Sequence, residues 1–170
     1  MRRAWRAISS CVTSPADAWL LARMIAWAPG LPVLKRALPL PRLVALMEKA
    51  PRRRSRDREL ERRIVRMARL IYRGRRGTFR DNCLERSLVT YRFLGRAGAD
   101  PELVVAMSKR DEGLHGHVWV TVEGIPVHED PADLEVYVPL MRFRRGTIGP
   151  STGGPTGPLP GAERGTELEQ

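Results

Sequence analysis

The stretch "DNCLERSLVTYRFLGRAGADPELVVAM", residues 81–107, changes its hydrophobic period part-way, and that change decides the fold. Leu84, Leu88, Tyr91 and Leu94 recur at spacings of four, three and three, which lines up one face of a helix. Asp81 or Asn82 can cap its start, and Gly98 in "GRAGAD" marks its end. From Glu102 the period becomes two. "ELVVAMS" (102–108), "HGHVWVTV" (115–122) and "IPVHE" (125–129) read as three strands, with "LEVYVPL" (134–140) as a possible fourth. Glu123-Gly124 between the second and third suits a tight hairpin turn. The expected class is α+β: a helix followed by an antiparallel sheet.

N-terminal to this unit the pattern is helical. Leu60, Ile64, Met67 and Ile71 fall on one face of a helix spanning 57–72, with arginines over the rest. Residues 1–50 read as short helices punctuated by proline: 15–27, a break at "APGLP", then segments near 33–37 and 42–49. Their apolar content predicts a region, 1–50, that packs on the core or on a partner. The core itself is expected over 51–145, led by the Arg-rich helix. Over 146–170, eleven of twenty-five residues are glycine or proline without apolar periodicity, so a disordered tail is expected there.

At 170 residues and 42% apolar content the chain can bury one sizeable core. Its two cysteines, Cys11 and Cys83, are too few for a disulfide framework or a zinc knuckle, so a reducing, cytoplasmic setting is expected. The basic N-terminus lacks the continuous apolar run of a signal peptide. Ala16–Leu34, the longest apolar segment, contains Asp17, Arg23, Pro29 and Gly30, so no membrane-spanning helix is expected. The net charge of +11 is concentrated: residues 51–76 hold twelve arginines against Asp57, Glu59 and Glu61.

Cys83 is the residue that could do chemistry. It falls in the first turn of its helix, where unpaired backbone N–H groups favour a thiolate, and Arg86 lies one turn on. Alternation in "HGHVWVTV" puts His115, His117, Trp119 and Thr121 on one strand face, and Val118, Val120 and Val122 on the other. The next strand returns towards His117 and ends in His128, Glu129 and Asp130, so either acid can reach the imidazole. A thiol, a histidine to move its proton and an acid to orient the ring are the parts of nucleophilic acyl transfer. Cys11, in an apolar helix, reads as a core residue; His115 and His128 read as solvated strand ends.

"CLERSLVTYRFLGRAGADPELVVAM" followed by "HGHVWVTVEGIPVHEDP" resembles the stand-alone leader peptidases of lasso-peptide biosynthesis, transglutaminase-like cysteine peptidases. Cys83, Leu84, Arg86, Ser87 and Leu88 match the family's Cys-Leu-x-Arg-Ser-Leu. Leu94 and Gly98 match its helix end, and His117, Trp119, Val120 and Gly124 its His-Ala-Trp-Val and glycine turn. Val118 stands where alanine is usual. The resemblance covers about residues 80–135, and the proline-broken N-terminal helices are loosely similar as well.

The resemblance implies a transglutaminase-like, papain-like core with a Cys83–His117–Asp130 triad, supported by Arg86 and Trp119. Glu129 is the alternative acid. Asp130 is preferred because Asp-Pro after the hairpin looks like the acid position of the wider transglutaminase-like group. Asn82 is a candidate side-chain donor to the oxyanion. The implied activity is removal of the leader from a ribosomally made precursor, without metal or cofactor. The implied partners are the precursor (leader) peptide, a leader-binding recognition protein and an ATP-dependent lasso cyclase. The Arg-rich helix, through Arg62, Arg63, Arg66 and Arg69, would then be a docking surface. Two other readings remain open. A basic nucleic-acid-binding protein fits the charge, but Tyr72 is the lone aromatic among the arginines. A transamidase or acyltransferase of the same fold would pass the thioester to an amine instead of water. A silent scaffold of this fold would have no need of Cys83, His117 and the acid together.

Overall fold

The computed structural model describes residues 12, 14–49, 53–72, 82–110 and 113–150. Cys11, Asp81, the arginines of 73–76 and the tail from 151 lie outside the described residues.

Asn82 caps the central helix α5 (Cys83–Arg96), its side-chain oxygen accepting from the Leu84 N–H at 3.2 Å. Four shorter segments precede it: α1 (Pro15–Trp27), a 3-10 turn (Ala28–Gly30), α2 (Leu31–Ala37) and α3 (Leu40–Glu48). The Arg-rich helix α4 (Arg58–Ile71) follows, capped by Asp57, whose carboxylate accepts from Leu60 N–H at 2.9 Å. After α5 come β1 (Pro101–Arg110), β2 (Gly113–Val122), β3 (Ile125–Pro126), the short α6 (Pro131–Leu134), β4 (Val138–Arg144) and β5 (Thr147–Pro150). The sheet order is β3-β2-β1-β4-β5, with every neighbouring pair antiparallel. The fold is α+β.

The period-two pattern of the strands sorts their side chains as alternation requires. Leu103 faces the helices beside Val118, Val120, Val122 and Phe143, against Leu88, Val89, Phe93 and Leu94 of α5. The opposite face carries Val104, Ala106 and Trp119, sheltered by Leu134 and Tyr137 in a second, smaller cluster. Leu21, Met24, Leu31, Leu43 and Met47 of the N-terminal helices and Ile64 and Met67 of α4 belong to the main cluster. Residues on both sides of the expected boundary at 50 therefore share one core. Burying side chains of this kind is worth about 1.5–3 kcal/mol each, so the N-terminal helices are part of what keeps α5 in place.

Several boundaries differ from the sequence reading. The third strand is only Ile125–Pro126; one more backbone bond follows, from Val127 N–H to Val120 O at 3.0 Å, before the chain leaves β2. Leu134 closes α6, and the fourth strand runs from Val138 to Arg144 instead of 134–140. β5 forms within the stretch expected to be disordered, pairing Thr147 with Arg144. Arg63, read as a docking residue, turns inwards: it donates to Asp17 at 3.0 Å, and Asp17 is only 2% exposed. No described helix is long and apolar enough to cross a membrane.

Gly98 ties α4 to α5. It has φ +92°, and a Cβ there would lie 2.6 Å from the Ser55 carbonyl oxygen and 2.9 Å from the Arg56 Cα. The segment leading into α4 is laced against the end of α5 here, with Arg53 N–H donating to Arg96 O and Asp57 N–H to Ala97 O. Gly98→Ala therefore combines a left-handed backbone with a backbone clash. It should lower unfolding free energy by about 2–4 kcal/mol in urea denaturation, whereas Gly95→Ala, with open space at its Cβ, should not destabilise.

Candidate active site

Cys83 is the first residue of α5, and the helix start is fastened to the edge of β2. β3 pairs with β2 at Thr121 and Val122, and the last bond between them runs from Val127 N–H to Val120 O, so the outward-facing backbone of Val118 has no strand beside it. Ser87, fully buried, donates its hydroxyl to the Val118 carbonyl at 2.9 Å. The Val118 N–H in turn donates to the Cys83 sulfur. One residue away, His117 hydrogen-bonds the thiol. Period two puts its ring on the face of Trp119, and the two ring centroids lie 5.8 Å apart. Tyr137 holds the imidazole from another side at 5.2 Å. His115, on the same strand face, is exposed.

The acid at the histidine is Glu129. Its Oε1 lies 3.7 Å from His117 Nε2, an ion-pair distance, which leaves Nδ1 as the nitrogen for Sγ. The same Oε1 accepts from Arg86, one turn along α5 from Cys83. The Glu129 side chain is 10% exposed. Its loop is held from both helices. Thr90 Oγ1 lies 2.8 Å from His128 Nε2 and donates to the Arg86 carbonyl, while Arg69 of α4 donates to the His128 carbonyl at 2.7 Å. Since the Thr90 proton is committed to Arg86 O, His128 Nε2 carries the hydrogen of the 2.8 Å contact. The Arg69 Nε–H, 3.4 Å from Nδ1, completes that tautomer.

Asp130 sits elsewhere. It is exposed and caps α6, its Oδ1 accepting from Ala132 N–H at 3.1 Å. Asp-Pro is what a helix N-cap followed by proline at N1 looks like, and that reading was available in the sequence. Asn82 uses its oxygen on the cap and turns its amide to Glu85 Oε1 at 3.4 Å. His128, read as solvated, is a half-buried link, and Ser87, Thr90, Arg69 and Tyr137 carry contacts that spacing did not reveal. Among the described residues no group of His, Cys, Asp and Glu is placed to hold a metal ion.

The electrostatics favour a thiolate–imidazolium pair. Burial pushes the Cys83 thiol up, but the His117 hydrogen bond, the N–H groups of Val118 and Leu84 and the imidazolium charge bring it below its usual range. His117 is pushed up to about 9, by the thiolate first and the Glu129 carboxylate second, against the effect of burial. Glu129 is lowered: burial opposes ionisation, and the His117 contact and the Arg86 charge outweigh it. His128 falls to about 4, mainly through burial and then through Arg86, so it is neutral at pH 7.

The pattern of the transglutaminase-like superfamily matches residues 19–142. The chain belongs to this superfamily. The match starts within α1 and ends in β4, so it takes in the N-terminal helices as well as the site. No curated protein and no solved structure gives a significant match. The superfamily is typically one of cysteine-dependent peptidases and transglutaminases, and membership suggests a cysteine-dependent enzyme.

Alkylation of Cys83 by iodoacetamide, followed by mass spectrometry of the Cys83 peptide, reads this geometry without a substrate. The rate should rise in two steps: one below the usual thiol range as the ion pair forms, one near pH 9 as His117 loses its proton. Glu129→Gln removes an anion beside the imidazolium, so the upper step should move to lower pH. Asp130→Asn, a cap of equal quality, should leave both steps in place.

Proposed function

We propose that the protein is a cysteine peptidase that removes the leader from a ribosomally made lasso-peptide precursor, with Cys83 as nucleophile, His117 as acid and base, and Glu129 orienting His117. The observation that carries the reading is the placement of Cys83 at a helix start, against a histidine whose far nitrogen faces a buried carboxylate. The Cys-Leu-x-Arg-Ser-Leu motif supports the narrower assignment, because Arg86 and Ser87 each have work at this site: one holds Glu129, the other holds the β2 edge.

In the first half-reaction the Cys83 thiolate attacks the carbonyl joining leader to core. Backbone N–H groups at the start of α5 face the developing oxyanion. His117, as imidazolium, gives its proton to the departing amine, which leaves as the free core N-terminus, and the leader remains as a thioester on Cys83. In the second, neutral His117 takes a proton from water, hydroxide adds to the thioester carbonyl, and the C–S bond breaks, so that the leader leaves as a carboxylic acid and Cys83 returns to the thiolate beside protonated His117. On this reading a leader-binding protein delivers the precursor, and an ATP-dependent cyclase uses the new amine.

The test incubates the protein with a candidate precursor and its leader-binding partner and reads product masses. Wild type should cut one bond, Cys83→Ala should cut none, and Glu129→Gln should lower kcat/KM by about 10²-fold or more. A leader ending in an amide would move the reading to a transamidase. Equal cutting by wild type and Cys83→Ala would end the nucleophile assignment.

A further inference from the structure

A groove of about 590 Å³ lies between α4 and the β2–β3 turn, outside the catalytic centre. Its floor is aliphatic: Val65, Leu94, Val122 and Val127, with Ile125 at the lip, 66% exposed. Its rim is one face of α4, where Arg58, Arg62, Arg66 and Arg69 follow at spacings of four, four and three. We propose that this groove is an exosite for an acidic, amphipathic stretch of the peptide substrate. The inference rests on the peptidase reading and adds where the substrate is gripped away from the scissile bond.

The charge on the rim is available. Arg58 makes no ion pair with a described residue. Arg62 and Arg66, 70% and 58% exposed, share Glu59 at 3.4 and 3.8 Å, contacts that solvent screens and that cost little to exchange. At the other end Arg56 is held between Glu61 and Glu123, so that corner is neutralised. A ligand with aliphatic side chains on one side and carboxylates on the other meets both surfaces: the side chains cover Ile125 and the floor, and the carboxylates take arginine forks. Nucleic acid fits less well. No aromatic residue lines the groove for base stacking, and its aliphatic floor offers nothing to a sugar-phosphate backbone.

Continuity with the catalytic loop argues for the substrate itself as occupant. Val127 on the floor is followed directly by His128 and Glu129, and Arg69 on the rim holds the His128 carbonyl. A peptide seated in the groove therefore lies against the segment that presents the acid to His117. Arg63, on the other side of α4, takes no part because it is committed to Asp17.

The experiment uses full-length Cys83→Ser and a short fluorescein-labelled peptide of alternating glutamate and leucine, with a lysine–leucine peptide and a single-stranded DNA oligonucleotide for comparison. Fluorescence anisotropy at low salt should show binding of the glutamate–leucine peptide and not of its lysine counterpart. The surface variants Arg58→Glu/Arg62→Glu/Arg66→Glu and, separately, Ile125→Asp should each weaken it by about tenfold or more. Unchanged affinity in both variants would overturn the exosite. So would DNA binding that is tighter than the peptide's and insensitive to Ile125→Asp, which is the signature of a bare polyanion surface. Iodoacetamide labelling of wild-type Cys83 separates the two readings. A reactive Cys83 with variant-independent peptide binding removes the exosite alone; an inert Cys83 with variant-dependent binding removes the substrate assignment through the peptidase reading.

Discussion

Everything at the candidate site depends on how the start of α5 meets the edge of β2. A strand edge leaves backbone groups that must be satisfied, and here a helix, not another strand, satisfies them: Ser87 takes the Val118 carbonyl, and the Cys83 sulfur takes the Val118 N–H. That one residue of backbone sets the helix at a fixed height against the strand, and His117, next in the chain, arrives beside the thiol as a consequence. The shortness of β3 is a condition of this arrangement. Had the hairpin paired further along, the edge at Val118 would have been occupied and Cys83 kept away from it.

The acid is delivered by a separate device. Glu129 comes from an irregular loop, which offers no intrinsic rigidity, yet an orienting carboxylate must stay in place to favour one ring orientation of His117. Arg86 from α5 fixes the carboxylate, while Thr90 and Arg69 fix the neighbouring His128. Helix α5 thus supplies the thiol, the anchor to the strand and the grip on the carboxylate, at Cys83, Ser87 and Arg86.

The sequence reveals most where structure follows from period. The helix face of Leu84, Leu88, Tyr91 and Leu94, the strand alternation around Trp119 and the Glu123-Gly124 turn, with φ of 55° and 80°, were all legible as local patterns. Cys83 and His117 came with them, since each sits on a regular element. The choice between Glu129 and Asp130 could not be read from period, because a loop has none and one residue there reverses direction; the one local sign was Asp-Pro as a helix N-cap. Arg63 shows the same limit on a helix: its position among arginines gave no sign that Asp17, forty-six residues earlier, would meet it in the interior. Val118 in place of alanine is accommodated because its side chain joins the main apolar core, while the bond to Ser87 is made by its backbone carbonyl and does not depend on the side chain.

The shared core also bears on how the chain is made. Synthesis delivers Met24, Leu31, Leu43 and Met47 well before their partners, and the last large core side chain, Phe143, follows Met24 by 119 residues. At ordinary elongation rates the early helices wait about 6–24 s with their apolar faces uncovered. The nascent protein is therefore a client for whatever shields hydrophobic helices at the ribosome. Its thiol gains its histidine and acid only near the end of that interval, so reactivity and the finished fold appear together.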